Sequence, residues 1–469
     1  MLAGLSALLG LGADREADLG VKAKLSSPGW PGLRTGCHVT KQRSGKSMRF
    51  QAADMPPMCN AVLFGDAGDL AALVASLRGL PEMDKHTMGG RCEHQTRDME
   101  HFMTSQVGMR QLSGQCFVQG VKAFELKTPL AELPADRTLS FACQRRPADA
   151  TFSMSVAEVA EWQASYQAFY ASDMYVGEEG KACLRKALSG QSSCGDEAFR
   201  MKFVVRISKN PVLMRFDGRL ISREADDCHA GEVHLVSVCG VDFAGRKHDV
   251  ADVTTYIRNW RQVYRTAEEG NLVVRHGRDF VPTGKKGFLD RSLLLRDLKK
   301  MARLRLRAQD AVGVQVAVEV GIGLGVFAGD AVGIGARVRL LSAQALREVL
   351  EEERFEHIRL VVVSLPVFRP NDNFQHFRKV FENGTYKGAT PVMLMDQDMH
   401  AIAISAAAAG FSVGELNPAD SHGVFGEYWQ NLGPGTEEKL ALTTCGLLTQ
   451  HHAVNPWVLD ASRYTPMDV

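Results

Sequence analysis

The sequence predicts an α/β fold in which helices cover both faces of a mostly parallel sheet. Short apolar segments rich in β-branched residues alternate with helical patterns after residue 200. These segments are nearly continuous in apolar character, which is typical of parallel strands buried on both faces. A length of 469 residues with 45% hydrophobic residues is sufficient for a sizeable core and two or three domains.

The individual elements after residue 200 follow from composition and period. β-Branched apolar runs predict strands. They lie at 201–207, 233–243, 314–320, 358–365 and 392–395. Apolar residues spaced by three or four predict helices between and after these strands. They lie at 250–268, 289–308, 342–353, 399–409 and 436–450.

The first 200 residues give weaker signals. Residues 1–60 are rich in Gly, Ser, Pro, Lys and Arg, which predicts a mobile or loop-rich segment. Residues 61–199 are interpreted as a mainly helical accessory region, because helical patterns occur in three places. These are 69–80, 156–171 and 181–188.

Composition excludes several classes of function. With 55 basic and 54 acidic residues the net charge is +1, so the chain lacks the positive field that attracts nucleic acid or anionic membranes. No window approaches the roughly 18 apolar residues that span a bilayer. Ten cysteines without tight paired spacing indicate reduced thiols. We therefore expect a cytoplasmic protein without nucleic-acid or membrane partners.

The most informative segment is a glycine-rich loop that follows the predicted strand 314–320. Glycine lets the main chain approach a ligand closely, and successive N–H groups in such a turn form a concavity that suits phosphate oxygens. The pattern favours a phosphate site over the alternative, a tight connection in which glycine only relieves crowding. The glycines are Gly321, Gly323, Gly325 and Gly329.

Two classes of nucleotide ligand compete for this loop. The residues from Gly323 to Ala328 fit the G-x-G-x-x-A fingerprint of dinucleotide-binding Rossmann folds. That fingerprint requires a helix to begin inside the motif, and further glycines up to Gly335 predict none before about residue 341. It also requires an acidic residue at the end of a second strand, which is missing. Because the glycine spacing fits but these two features do not, an NAD(P)-dependent oxidoreductase is kept as the alternative interpretation.

A second polar cluster begins after the predicted strand 392–395. Loops that carry carboxylates, amides and aromatic rings above a sheet are where sites are usually built. Structural roles are the alternative for these residues. The aspartates after the strand also suit a helix cap, and Asn417 before Pro418 suits a turn. The cluster comprises Asp396, Asp398, Asn417, Asp420, His422, Gly423, Glu427, Tyr428 and Trp429.

These two segments resemble the ligand-binding loops of macrodomains, which bind ADP-ribose. The run Gly323-Leu-Gly325-Val326-Phe327-Ala-Gly329 is similar to their Gly-x-Gly-Val-Phe-Gly loop around the pyrophosphate. The run Asn417-Pro-Ala-Asp420 is similar to their motif for the distal ribose, although the two motifs stand in reverse order along the chain. The resemblance therefore implies a permuted, divergent macrodomain. It is closer to the MavL-type bacterial hydrolases that act on ADP-ribosylated ubiquitin.

The resemblance covers residues 200–469 and implies a three-layer α/β/α ADP-ribose domain there. It assigns the pyrophosphate to the glycine loop, including Val326 and Phe327. It assigns adenine to Asp396 or Asp398 and the distal ribose to Asn417 and Gly423. The candidate catalytic carboxylates, which would activate water, are Asp420, Glu427 and Asp330.

The implied function is a hydrolase that removes ADP-ribose from a modified protein, with ubiquitin a candidate acceptor and no cofactor required. A non-catalytic ADP-ribose reader is a further alternative. No metal is expected, because the histidines and cysteines lack metal-ligand spacing. The run Gly284-Lys-Lys-Gly287 is interpreted as a solvated basic turn, or as a contact for an acidic partner.

Overall fold

The structure is a computed structural model of the chain. It describes residues 58–80, 82, 133–142, 151–188, 199–210, 213–214, 220–221, 233–245, 250–266, 280–367, 372–397, 399–419, 457–458 and 460–469. The predicted helix 436–450 and nearly all of the predicted N-terminal segment 1–60 lie outside the described residues.

The strands of the described residues are short and are numbered in chain order. They are β1 (Ala61–Phe64), β2 (Thr138–Ala142), β3 (Thr151–Ser155), β4 (Gln167–Ala171), β5 (Val204–Asn210), β6 (Leu213–Met214), β7 (Leu220–Ile221), β8 (Val233–Cys239), β9 (Tyr264–Thr266), β10 (Phe280–Pro282), β11 (Val316–Val320), β12 (Leu360–Ser364), β13 (Val392–Met395), β14 (Val413–Ala419) and β15 (Tyr464–Met467).

In the described part of the chain, nine strands form one sheet with the order β1-β13-β12-β11-β14-β8-β5-β4-β15. The five strands from β13 to β8 are mutually parallel. The edge strand β1 and the strand β5 run antiparallel to their neighbours. The remaining strands form three antiparallel pairs, β2–β3, β6–β7 and β9–β10. The α/β class with a mostly parallel sheet is thus confirmed.

Helices pack on both faces of this sheet. They are α1 (Ala71–Arg78), α2 (Val156–Ala164), α3 (Gly177–Leu188), α4 (Val250–Tyr256), α5 (Trp260–Val263), α6 (Arg291–Ala311), α7 (Gly335–Glu352), α8 (Asn373–Phe381) and α9 (Met399–Ala408). Residues of α6, α7 and α8 share one core cluster with Ala317 and Val361, whereas α1 and α9 share another with Val316 and Val362. Successive strand residues therefore face opposite helix layers, as the pleat requires.

Two predicted helices are wrong in part. The pattern at 156–171 becomes α2 followed by strand β4, because residues 167–170 pair with β5 and residues 168–171 are buried in the sheet. The pattern at 250–268 becomes α4, α5 and strand β9, since Ile257 bridges to Leu289 and Tyr264 pairs with Pro282. In both places pairing with a distant segment overrides local helical periodicity.

The region before residue 200 contributes to the same sheet as the region after it. Strand β1 pairs with β13, and β4 lies between β5 and β15. Residues 61–199 therefore supply strands as well as helices. Tyr166, which precedes β4, and Tyr464, the first residue of β15, are both buried. Their hydroxyl groups share a 2.8 Å hydrogen bond.

Within the described residues, no helix is long and apolar enough to cross a lipid bilayer. The cysteines Cys59, Cys183 and Cys239 are free thiols.

The carboxylate of Asp310, near the end of α6, anchors the segment that leads into β12. Its Oδ1 accepts from the main-chain N–H groups of His357 (2.7 Å) and Ile358 (3.0 Å), and its Oδ2 accepts from that of Glu356 (3.1 Å).

We expect Asp310→Ala to lower the free energy of unfolding by about 2–3 kcal/mol, because three donors lose a charged acceptor. Urea denaturation measures this loss. The surface variant Glu382→Ala, which removes an exposed helical ion pair, is the control and is expected to cost below about 0.5 kcal/mol. Equal losses for the two variants would contradict the anchoring role.

Candidate functional site

The direction of strand order reverses at β11. From β11 the chain proceeds outward to β12 and β13, and it then returns to form β14 on the opposite side of β11. In open α/β sheets, ligands bind outside the carboxyl ends of the strands at such a reversal. The glycine loop leaves β11 at this point.

Asn417 lies within β14, where it pairs with Ser237 of β8, close to the start of the glycine loop. The run from Asn417 to Ala419 is therefore strand and not the turn that its Asn-Pro pair suggests. The β11–β14 pairing ends with Val318 opposite Glu415, two positions before Val320 and Asn417. Neighbouring strands lie about 4.8 Å apart. The two segments assigned to the nucleotide thus share one edge, although they are far apart in the sequence. Asp398, Asp420, Gly423 and Glu427 lie outside the described residues.

The glycine loop passes through two 3-10 turns, Val326–Ala328 and Asp330–Val332, before α7 begins. Gly323, Gly329 and Gly333 adopt left-handed φ values of 69°, 86° and 72°. This conformation strongly favours glycine, and it allows the chain to reverse sharply within a few residues.

Two of these glycines also allow close contact with the segment that follows β8. A Cβ atom at Gly323 would lie 2.6 Å from the carbonyl oxygen of Val241, and one at Gly329 would lie 3.0 Å from Cβ of Phe243. The N–H of Phe243 donates to the carbonyl of Phe327 at 2.8 Å. Gly323 and Gly329 therefore contact the protein's own chain, which favours the crowding interpretation for these two positions.

Asp330 is held by Arg339 of α7. The guanidinium donates from Nη1 to Oδ1 (2.8 Å) and from Nη2 to Oδ2 (2.6 Å), and its Nε donates to the carbonyl of Leu324 (3.2 Å). Such a two-pronged pair fixes geometry as well as charge. Arg339 thus fastens both halves of the glycine loop, and this favours a structural role for Asp330 over water activation.

Helix α7 begins at Gly335, earlier than the predicted start at residue 342. A Cβ atom at Gly335 would lie 1.9 Å from Oδ1 of Asp330. Any larger residue at the start of this helix would therefore have to displace the Asp330 carboxylate. The helix still begins well after Ala328, and β12 ends at Ser364 without an acidic residue. The structural context of a Rossmann fingerprint is therefore not met at this loop.

Asp396 is buried directly after β13. Its Oδ1 accepts from the N–H of Val367 at 2.7 Å, and its own N–H donates to the carbonyl of Asn60 at 2.9 Å. Burial, and secondly the charge of Asp396, raises the pKa of the nearby Cys59 thiol. One oxygen of Asp396 is thus occupied in joining the loops after β12 and β13.

A cavity of roughly 40 Å³ lies beneath the glycine loop, between the sheet and α6 and α7. By volume it holds about three water molecules. Most of its lining is apolar, but Arg305 and Ser342 also line it. Nε of Arg305 donates to Oε2 of the buried Glu319 at 2.6 Å. In the described part of the chain, the terminal nitrogens of Arg305 and the Ser342 hydroxyl form no hydrogen bond, so these donors are available to an oxygen-rich group.

A buried ion pair supports the segment after β8. Lys202 Nζ lies 3.2 Å from Asp252 Oδ2, and both side chains are fully buried. The same oxygen accepts from the N–H of Asp242 at 2.5 Å. Burial, and secondly the negative charge of Asp252, raises the pKa of Tyr256, whose hydroxyl donates to Asp297 at 2.8 Å. These buried contacts stabilise the main chain that follows β8 at the carboxyl edge of the sheet.

Sequence reasoning overlooked the charged residues inside the strands. Arg206, Glu319 and Glu415 are each buried to 1% exposure or less. The available signal was a charge within an otherwise apolar strand, as in the runs Val-Val-Arg-Ile and Val-Ala-Val-Glu-Val. Burying such groups is costly unless they are paired, so their positions mark polar contacts inside the core.

Among the described residues, no cluster of three or more His, Cys, Asp or Glu side chains could hold a metal ion. Comparison with known proteins does not identify the chain, since no family model matches it and no curated protein matches it.

Proposed function

We propose that this protein binds ADP-ribose at the carboxyl edge of its sheet and hydrolyses the bond that joins it to a modified protein. The observation that carries the proposal is the adjacency of β11 and β14 at the reversal of strand order. Because β11 and β14 are neighbours, the start of the glycine loop and Asn417 lie near one edge of the sheet despite their reversed order along the chain. The resemblance to permuted, divergent macrodomains is therefore compatible with the topology.

The ligand would lie across the edge with its pyrophosphate on main-chain N–H groups of the glycine loop. Because Gly323 and Gly329 contact the chain itself, this contact falls to the outer part of the loop around Gly325. The net charge of +1 fits an anion held by such local donors rather than by a positive field.

Hydrolysis would use a carboxylate after β14. Asp420 or Glu427 would take a proton from a water molecule as the water attacks the anomeric carbon of the distal ribose. The bond from that carbon to the acceptor atom breaks, and the acceptor atom takes up a proton. Asp398 is the better candidate for adenine, since one oxygen of Asp396 already accepts from Val367.

Titration calorimetry with ADP-ribose, together with its release from a modified acceptor such as ubiquitin, tests the proposal. We expect Asp420→Asn or Glu427→Gln to slow release by about 10²–10⁴-fold with binding unchanged, because general-base catalysis contributes that much. The exposed Glu382→Gln is the matched control and is expected to leave both unchanged. Binding without release in the unmodified chain would indicate a reader. Lack of binding at millimolar ADP-ribose would refute the proposal.

A further inference from the structure

A rigid basic turn, residues 283–288, stands beside the candidate site. It contacts the end of the glycine loop, since the N–H of Gly287 donates to the carbonyl of Val332 at 2.8 Å. A Cβ atom at Gly287 would lie 3.2 Å from Ile334, so the two segments are in close contact. Whatever binds the outer face of this turn therefore lies next to the carboxyl edge of the sheet.

The turn is held in place by the segment 258–263. The side chain of Asn259 accepts from the N–H of Phe288 (2.7 Å) and donates to the carbonyl of Lys286 (3.0 Å). The N–H of Arg258 donates to the carbonyl of Phe288 at 2.9 Å, and the N–H of Thr283 donates to that of Val263 at 2.8 Å. The main chain of the turn is thus fixed on both sides, and presenting its side chains costs little additional ordering.

The exposed side chains of the turn are cationic and aromatic. Phe288 is 61% exposed, one of few large apolar side chains so exposed in the described part of the chain. Lys285 and Lys286 are exposed, and they form no ion pair with another described residue. Arg258 is neutralised by Asp290 at 2.8 Å. With respect to the described residues, the turn thus presents positive charge that no carboxylate pairs with, next to an exposed aromatic residue in the sequence.

Neighbouring residues extend this surface. The guanidinium of Arg261 lies 4.6 Å from the ring centroid of Trp260. Arg265 in β9 and Arg291 at the start of α6 are also exposed. Aromatic and arginine side chains on a fixed main chain are the composition of protein-binding hot spots. Because the whole chain has a net charge of only +1, the local excess of cations is a property of this surface and not of the composition.

We propose that the basic turn binds an acidic surface of the ADP-ribosylated protein, with Phe288 in contact with an apolar group among the partner's carboxylates. This inference rests on the proposed function, because it names the feature that selects the substrate. Nucleic acid is less suited, since its binding depends on an extended positive field that this near-neutral chain lacks. A membrane is less suited because one exposed ring offers little apolar area for insertion.

The first test compares the steady-state release of ADP-ribose from a modified acidic protein with the binding of free ADP-ribose. We expect Lys285→Glu/Lys286→Glu to raise KM for the modified protein at least tenfold, and Phe288→Ala to raise it several-fold. We expect kcat and the affinity for free ADP-ribose to remain unchanged in both variants. The matched controls are Lys379→Glu, an exposed lysine on α8, and Val176→Ala, which is 71% exposed. Equal KM values in variants and controls would overturn the inference.

A second test does not depend on ADP-ribose. Fluorescence anisotropy measures binding of an acidic, partly aromatic polypeptide, a random copolymer of Glu and Tyr, at low and high salt. We expect binding that weakens with salt and falls at least tenfold in Lys285→Glu/Lys286→Glu but not in Lys379→Glu. Tighter binding of a single-stranded oligonucleotide or of anionic lipid vesicles, lost in the same variant, would overturn the inference. Copolymer binding in a chain that does not bind ADP-ribose would refute the proposed function and leave the surface assignment standing.

Discussion

Replacing Asp252 with alanine is expected to lower the free energy of unfolding by about 3–5 kcal/mol, because it removes the negative charge from a fully buried ion pair and keeps the ammonium group of Lys202 buried. Both side chains of the pair are fully buried, with 3.2 Å between Nζ and Oδ2. The substitution also removes the acceptor of the N–H of Asp242, so the segment after β8 loses its support. Urea denaturation followed by circular dichroism measures the change.

The charge of the pair, rather than its volume, is expected to dominate this loss. The double variant Lys202→Met/Asp252→Asn removes both charges and should recover much of the stability, since no uncompensated charge remains. Glu178→Ala breaks the exposed pair with Lys181, and it is expected to leave the stability nearly unchanged, because water screens that pair. A double variant no more stable than Asp252→Ala would show that packing and not charge is responsible.

Gly323→Ala is expected to destabilise the protein by about 3 kcal/mol or more, through two separate costs. A non-glycine residue in the left-handed region costs about 1–2 kcal/mol. In addition, the new Cβ atom would lie 2.6 Å from the carbonyl oxygen of Val241, and a main-chain atom of a packed loop cannot move away cheaply. Thermal and urea denaturation measure the total.

Gly313→Ala is the matched control for this substitution. Gly313 has a similar φ of 77°, but a Cβ atom there has no neighbour within 4 Å. We expect it to cost about 1–2 kcal/mol, the conformational part alone. The difference between the two variants therefore isolates the close approach of the two loops at the sheet edge. Indistinguishable losses would show that the loops separate readily, and the edge would then be more adaptable than its packing indicates.

Strands buried on both faces were the elements best predicted from sequence. Val392–Met395 was predicted with its observed bounds, and 358–365 was predicted with one or two extra residues at each end. Runs of this kind are recognisable because a central parallel strand is apolar on both sides. The helix at 399–409 was also correct to within one residue.

Predictions failed where a short segment has two compatible periods. The residues of β4 carry apolar spacing that fits a helix, yet they pair with β5 and β15. Helix α7 begins at Gly335, where the Asp330 carboxylate lies against the glycine, and the pattern of glycines in the sequence does not reveal this contact. A local pattern describes which face of an element is apolar, but it does not show which distant segment will cover that face.

The candidate site was predictable only as two separate loops. Their glycine and polar residues could be recognised from composition, whereas the contact of Gly323 with Val241 and the pairing of Asp330 with Arg339 could not. The run Gly284-Lys-Lys-Gly287 was recognisable as a basic turn, but the exposure of Phe288 and the hydrogen bonds from Asn259 that fix the turn were not. Hydrogen bonds of this kind leave no periodic trace in the sequence.

Composition and periodicity are therefore sufficient for the class of fold, the near-neutral charge and the presence of a glycine loop after a buried strand. These properties follow from local side-chain chemistry, which is present in the unfolded chain. The adjacency of β11 and β14, the insertion of β1 and β15 at opposite edges of one sheet, and the Lys202–Asp252 pair all depend on folding. They arise because burying apolar faces brings together residues that are far apart in the sequence, and the free energy of those contacts exists only once the chain is compact.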